Sequence, residues 1–425
     1  MKKLRTPVLV VVLALLGAWG WASLDRCGAW PRKAPAITQL AQGRGDLKAG
    51  AARVEFALTF PTTAGGYPPP RATVGKALTP LAARALVLEI GGQRLALVLL
   101  DVLLVPPQLR DAIGREQGLP IWVLATHTHS GPSGFDPRLA AELAALGTFS
   151  AADEAVVVTA AREALSRAQA QLVAARLEVG EQPLDGLNVA RSGDSVDRRL
   201  TRLRFDGADG PVAQLVVFSA HPTLVARRPE GLHADWPGVL AERLERDHGP
   251  VTLVVQGAGG NASVERSTAD TPEALAEKLE QAVKAVPTKA EADPFPAAWC
   301  EVQVSLSRPD ARHLAPAPLR PAVENALCDE VEDFAVLHGL RLGDLRLLFV
   351  PVEPSHAAGL VLEEQARATR VVSLADGYAG YVEPVEVARQ GAGEAARQYF
   401  PPEFLTQLAE GAALVGRALD GPPGS

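Results

Sequence analysis

The segment Ala125–Phe135, ATHTHSGPSGF, sets two imidazoles two residues apart directly after the apolar run IWVLAT (121–126). On extended backbone, residues i and i+2 share a face, so His127 and His129 can reach one metal ion or one substrate. Gly131, Pro132, Ser133 and Gly134 then permit a tight turn and a close approach of a ligand to the main chain. His221 in FSAHPTLV, Glu353 in LLFVPVEPSH, and Tyr378 and Tyr381 in DGYAGYVEP also stand just beyond apolar strand candidates. Singly, each is an ordinary capping or surface residue. As a set of nitrogen and oxygen donors at strand exits, they can converge at one edge of one sheet, where α/β folds place their sites.

The elements that would position them alternate along the chain. ARALVLEI (83–90) and RLALVLLDVL (94–103) flank Gly91-Gly92-Gln93 as a hairpin of two buried strands. A polar helix is expected near Pro106–Gln117, followed by Ala-rich helices at 137–147 and 151–171. Further strands are expected at 200–205, 211–219, 251–256, 300–307, 344–351 and 369–374. The pattern predicts an α/β fold: a mixed β-sheet core with packed helices, in a single large catalytic domain over 50–420, preceded by an N-terminal apolar helix. The Pro-rich stretch 289–321 contains a strand candidate and does not split that domain.

The chain has 425 residues and 47% hydrophobic content, ample for a large core. Its 42 basic and 49 acidic side chains are interspersed, with a net charge of -7, which argues against nucleic acid as a partner. At the N-terminus Lys2, Lys3 and Arg5 precede an uncharged apolar stretch from Thr6 to Leu24. That is an export signal, so residues 1–24 are expected to be a signal peptide or membrane anchor and the domain to be periplasmic, secreted or membrane-anchored. Residues 25–49, rich in Pro, Gly and Ala, read as a linker. Three cysteines are too few for a disulfide scaffold; Cys300 and Cys328 could pair in an oxidising compartment or remain two buried thiols.

THTHSGPSG resembles the THTHSGPGG motif of the neutral/alkaline non-lysosomal ceramidases, and further segments match in the same order. NVARS (188–192) is similar to the family's Asn-Arg-Ser segment, and HPTLVARRPEGLHADWPG (221–238) to its His-Gly-Thr block. VVQGAGGNASVE (254–265) resembles the stretch ending in Gly-Asp-Val-Ser-Pro-Asn, while GDLRLLFVPVEPS and DGYAGYVEP resemble the Pro-Gly-Glu and Asn-x-Tyr-x-x-Tyr blocks. The likeness runs from about Gly50 to the C-terminal helix. It implies a zinc-dependent amide hydrolase acting on ceramide or another N-acyl lipid, meeting the membrane through its N-terminal segment or its substrate. It also implies His127, His221, Glu353 and Tyr381 as Zn2+ ligands, His129 as a site histidine that moves a proton, Arg191 as an oxyanion contact, and Ser263 as the essential serine, either nucleophile or water-positioning. Zinc takes such ligands, lowers the pKa of a water and polarises a carbonyl.

The chain also departs from the family pattern. The hexapeptide reads Gly260, Asn261, Ala262, Ser263, Val264, Glu265, and a family tyrosine beyond Tyr381 falls at Gln390–Gly393, with the next tyrosine, Tyr399, several residues late. The reading is of a short form with one helix at 401–418 and no C-terminal β-sandwich. These changes leave the ligands and alter the substrate-contacting features. Asn261-Ala262-Ser263 matches a glycosylation sequon that its Gly-rich context makes incidental.

Overall fold

Successive residues along a strand point to opposite faces, so a strand apolar at every position must be covered on both. The structure, a computed structural model, describes residues 17, 19, 20, 24, 25, 27–67, 73–138, 141, 147–193, 195–291 and 294–420. The expected signal or anchor at 1–24 and the expected helix at 137–147 lie largely outside the described residues. Among the described residues, no helix is long and apolar enough to cross a membrane.

The longer strands are β1 Ala36–Gly45, β2 Leu47–Glu55, β3 Ala82–Ile90, β4 Gln93–Leu100, β5 Ile121–Ala125, β6 Val173–Pro183 and β7 Arg199–Gly207. They continue with β8 Gly210–Phe218, β9 Val251–Gln256, β10 Phe295–Ser305, β11 Phe334–Leu342, β12 Leu345–Val350 and β13 Arg370–Ser373. The helices are α1 Pro107–Gly114, α2 Ala151–Ala170, α3 Asp235–Glu245, α4 Pro272–Ala285, α5 Arg320–Glu330, α6 His356–Ala366, α7 Val385–Arg389 and α8 Phe404–Asp420.

Two sheets form where one was expected. A nine-stranded sheet runs β9-β8-β7-β6-β2-β3-β4-β5, with Lys289–Ala290 added on β6, and a five-stranded sheet runs β1-β10-β11-β12-β13. Pairing within these sheets is antiparallel except for β4 with β5, β8 with β9, and β12 with β13. The sheets pack face to face: Leu86, Leu88, Leu97 and Leu203 of one share a core with Trp299, Leu340 and Phe349 of the other. The alternate residues of β3, Ala83, Ala85 and Val87, face outward into a second core built with α2. Helices α3 and α4 cover the rest of that outer face, and α6 and α8 cover the outer face of the five-stranded sheet. The result is four layers, helix-sheet-sheet-helix, which explains the doubly apolar strands.

The stretch expected as a linker is not all linker. Within it, β1 pairs antiparallel with β10, and its largely exposed, polar residues mark it as an edge strand. The cysteine pairing also differs from both readings: Cys328 bonds to Cys27, and Cys300 is a buried free thiol.

A buried ion pair joins the two sheets below the site. Arg370, at the start of β13, is fully buried and meets Asp197, just ahead of β7, at 2.9 and 2.8 Å. Arg199 and Ser219 complete the cluster, at 2.9 and 3.0 Å from the same carboxylate. Burial opposes ionisation of Asp197, but the two guanidiniums hold its carboxyl down at about 2.

Removing one partner of such a pair strands the other charge. Arg370→Met should therefore cost about 3–5 kcal/mol in denaturant unfolding, and the double change with Asp197→Asn should cost less. Because the folded pKa of Asp197 lies below its unfolded value, its contribution is present above about pH 4 and lost as pH falls through about 2, an effect of about 2 kcal/mol. An unfolding titration between pH 5 and pH 2, wild type against Asp197→Asn, checks this. A deletion of residues 1–45 removes β1 and Cys27 and should lower stability, whereas a cut ahead of residue 24 keeps both; comparing their melting temperatures tests whether β1 belongs to the core.

Candidate metal centre

β5 ends at Ala125, and the chain then turns sharply: His127 takes φ 69°, a left-handed conformation unfavourable for a residue with a Cβ. The two histidines therefore meet through a turn rather than through the shared face of an extended strand, with ring centroids 4.8 Å apart and planes at 82°. His127 Nδ1 lies 2.8 Å from Leu103 O, and His129 Nδ1 lies 2.8 Å from Gly66 O. Gly66 has no alternative there, since a Cβ on it would stand 2.4 Å from His129 Cα. His221 follows β8, with its backbone N and ring Nδ1 3.1 and 3.0 Å from Ala262 O.

A carbonyl oxygen only accepts, so each of these three Nδ1 atoms carries a proton, and each ring turns its Nε2 toward the others. One ligand atom from each histidine lies within 4.8 Å of the others. His127 Nε2 and His129 Nε2 are 3.4 Å apart.

Glu353 arrives from the other sheet. Beyond β12, Glu353–Pro354 pairs in parallel with Tyr381–Val382, setting Glu353 beside Tyr381. Ser355 then caps α6 by accepting from Ala358 N, which holds the start of that helix against the pair. Glu353 Oε2 lies 3.2 Å from His127 Nε2 and 2.8 Å from His221 Nε2, and Tyr381 Oη lies 2.9 Å from His221 Nε2. Glu353 is buried, and Oε2 has no hydrogen-bond partner. Its other oxygen accepts from Tyr378 Oη at 2.7 Å.

Three imidazole nitrogens, a carboxylate and a phenol are thus gathered at one buried point, a donor set that a cation would satisfy. For bonds of about 2.0–2.1 Å, the edges of a tetrahedral donor set are about 3.3 Å long, close to the 3.2 and 3.4 Å separations here. The group His127, His129, His221 could hold a metal, with Glu353 and Tyr381 as adjacent oxygen donors.

Electrostatics follow from the same packing. Burial and the two neighbouring imidazoles keep His129 well below its ordinary pKa, and burial lowers His221. Burial also works against a charged His127, but Glu353 outweighs it and raises that pKa. Burial and the charge of Glu353 push the Tyr378 and Tyr381 phenols well up.

Arg191 enters from the loop after Asn188–Ala190, a short strand paired with Ala262–Val264. Its Nη2 donates to Gly260 O at 2.6 Å and to Tyr381 Oη at 3.1 Å, while Nε donates to Glu394 at 3.0 Å. Six of the seven expected site residues thus form one connected cluster: His127, His129, Arg191, His221, Glu353 and Tyr381. Ser263 is adjacent in chain to Ala262, the carbonyl that orients His221, but it is partly exposed and makes no hydrogen bond among the described residues.

Sequence reasoning passed over Glu394, the anchor of Arg191, because nothing in GAGEAA marks a strand exit. Tyr399 does fold back: it lines the site cavity, with its ring edge-on to Tyr378 at 5.9 Å. The sequon is structural, since buried Asn261 donates to the carbonyls of Ser192 and Ser195 at 2.8 Å. The cavity, about 370 Å³, runs from His127, His129, Glu353 and Tyr381 along apolar walls that include Leu103, Leu104, Leu314, Val331 and Phe334.

Comparison with known proteins bears on the fold and the family. Two curated relatives are the neutral ceramidases of Pseudomonas aeruginosa, 30% identical over 165 residues, and of Mycobacterium tuberculosis, 28% identical over 142. Those alignments cover 34% and 30% of this chain, and only 24% and 22% of the relatives. Among solved structures, the Pseudomonas aeruginosa neutral ceramidase superposes with a TM-score of 0.71 at 18% identity, over 88% of this chain and 75% of that one. A ceramidase complexed with C2 superposes at 0.72, also with 18% identity, over 88% and 76%. At that identity the likeness is one of fold. The sequence model described as "Neutral/alkaline non-lysosomal ceramidase, N-terminal" matches residues 66–305, a span that holds His127, His129, Arg191, His221 and Ser263. With more than half of its length so matched, the chain belongs to the neutral/alkaline non-lysosomal ceramidase family.

Proposed function

We propose that the chain is an exported, zinc-dependent amidase that hydrolyses the N-acyl bond of ceramide or a related N-acyl lipid. The observation that carries this reading is the convergence of three inward-turned imidazoles and the orphaned Glu353 Oε2 at the head of an apolar cavity. The names of the relatives, neutral ceramidases, and the C2 complex of a structural neighbour point the same way. Export is supported by the basic cluster ahead of Thr6–Leu24, and by the Cys27–Cys328 bond, since disulfides persist in oxidising compartments.

His127, His221, Glu353 and Tyr381 would hold the ion, with His129 beside them and outside the ligand set. Zinc, when bound, supplies Lewis-acid polarisation of a carbonyl and a lowered pKa for a water. The chain's own residues do the rest. Arg191, pinned by Glu394, keeps a positive charge 3.1 Å from Tyr381 Oη and stabilises negative charge developing on a carbonyl oxygen placed beside it. His129, held neutral, can accept a proton at Nε2 while Nδ1–H stays on Gly66 O. Tyr378 fixes the orientation of the Glu353 carboxylate through Oε1. Ser263, without a hydrogen bond of its own, is assigned to positioning water or the amide.

Three variants separate these roles. His127→Ala should lose both zinc, measured by elemental analysis, and turnover of N-acylsphingosine. Tyr378→Phe should keep the zinc and lose roughly tenfold in rate, the value of one hydrogen bond to a charged group. Ser263→Ala should likewise slow turnover without emptying the site. Full activity after exhaustive chelation would overturn the zinc reading.

A further inference from the structure

At the end of the nine-stranded sheet remote from the histidines, β7 places two arginines on the face covered by α3 and α4. Leu203 and Phe205 point into the core between the sheets, so Arg202 and Arg204 point outward, in the row where Leu200 packs into the apolar core beneath the helices. Arg202 is only 9% exposed. Its Nε donates to Gln214 Oε1 at 3.0 Å and its Nη1 to Val283 O at 3.1 Å. Both acceptors are neutral. Among the described residues no carboxylate forms a direct ion pair with Arg202 and its Nη2 has no hydrogen-bond partner; Asp206 and Glu178 act on this buried guanidinium only from a distance.

A surface cavity of about 330 Å³ opens at this arginine, lined also by Arg204, Arg243, Arg246 and Lys284, with Glu280 and Asp247 as the only carboxylates. Glu280 is shared by Arg243 and Lys284, at 2.6 and 2.8 Å, and Arg204 is paired with Asp206 at 2.9 Å. Arg246, like Arg202, makes no ion pair among the described residues. Five cations against two anions line one concavity in a chain whose net charge is -7, so the cavity runs against the sign of the whole molecule. A cap on the last turn of α4 would explain the bond to Val283 O, but not a buried guanidinium with no direct ion pair, whose pKa burial and Arg204 lower by more than Asp206 and Glu178 raise it. Gln214 lies in β8, whose far end leads to His221, and the cavity shares no lining residue with the histidine site, so it is separate from the metal centre.

We propose that the cavity around Arg202 binds a phosphate group, with the Arg202 guanidinium as its buried contact and Arg246 and Lys284 at its rim. A planar guanidinium matches phosphate oxygens in pairs. The volume exceeds that of a bare phosphate, so the group is carried by a larger polar body, either a soluble phosphomonoester or a phospholipid headgroup.

The test uses the full chain with its metal bound. Calorimetric titration with inorganic phosphate and with glycerol phosphate, against sodium chloride of equal ionic strength, should show saturable binding in the wild type. Binding should weaken roughly tenfold or more in Arg202→Gln and by a smaller factor in Arg246→Gln and Lys284→Gln, with zinc content and amide hydrolysis unchanged. Tighter binding of glycerol phosphate, without sedimentation on phosphatidylcholine vesicles containing phosphatidic acid, identifies a soluble ligand. Sedimentation that needs phosphatidic acid and is lost in the variants identifies a headgroup. If Arg202→Gln does not fold, the two exposed-residue variants carry the test. Equal affinity in wild type and in those variants, or no binding beyond the salt control, overturns the proposal.

Discussion

The structure turns on three hydrogen bonds to backbone carbonyls. By accepting from Nδ1 of His127, His129 and His221, the carbonyls of Leu103, Gly66 and Ala262 turn the Nε2 atom of every imidazole inward, two of them toward Glu353 Oε2 at 3.2 and 2.8 Å. A cation at that point would meet all of these donors at once, and in a low-dielectric interior that attraction is strong. The acceptors come from separate segments of chain, ahead of α1, ahead of β3, and after β9. The ring orientations are therefore a property of the assembled domain and not of any local motif.

Two sheets are needed to meet that constraint. His127 and His221 leave strands of one sheet, and Glu353 and Tyr381 follow strands of the other, so the centre lies across the seam between them. The seam is closed by backbone: Ala125 N donates to Leu374 O, and Asp376 joins β5 through both its main chain and its carboxylate. Left-handed conformations at His127, Leu374 and Asp376 cluster at this junction, each disfavoured on its own and held by surrounding bonds. Below it, the Asp197–Arg370 pair fixes one sheet against the other, at a depth where a loose contact would shift Glu353 relative to the histidines.

Much of this was legible in the sequence, and what was missed has physical reasons. Donors at the exits of apolar runs pointed to the cluster, because the end of a buried strand is where a polar side chain can meet a cavity without crossing the core. The number of sheets was hidden, since an apolar run covered by helix on one face reads the same whichever sheet lies on the other. β1 was taken for linker because an edge strand with exposed faces has no apolar alternation, and β11 was passed over where His338 and Gly339 interrupt its run. Glu394 carried no signal at all; its role exists only because Arg191 reaches it across more than 200 residues of chain. The partner of Cys328 was equally illegible, since three cysteines allow several pairings and only the fold brings Cys27 beside α5.

That disulfide closes a ring of covalent bonds around most of the molecule, its ends separated by 301 positions in sequence. A protease that nicks any loop between Cys27 and Cys328 would open the backbone without releasing a fragment. The histidines after β5 and β8 would stay tied to α5 and to Val331 and Glu332 of the cavity wall just beyond it, and the cut chain would migrate as one species until reduced. In a compartment shared with proteases, the lifetime of this domain is then set by how many cuts it takes to dislodge a strand, and not by the first.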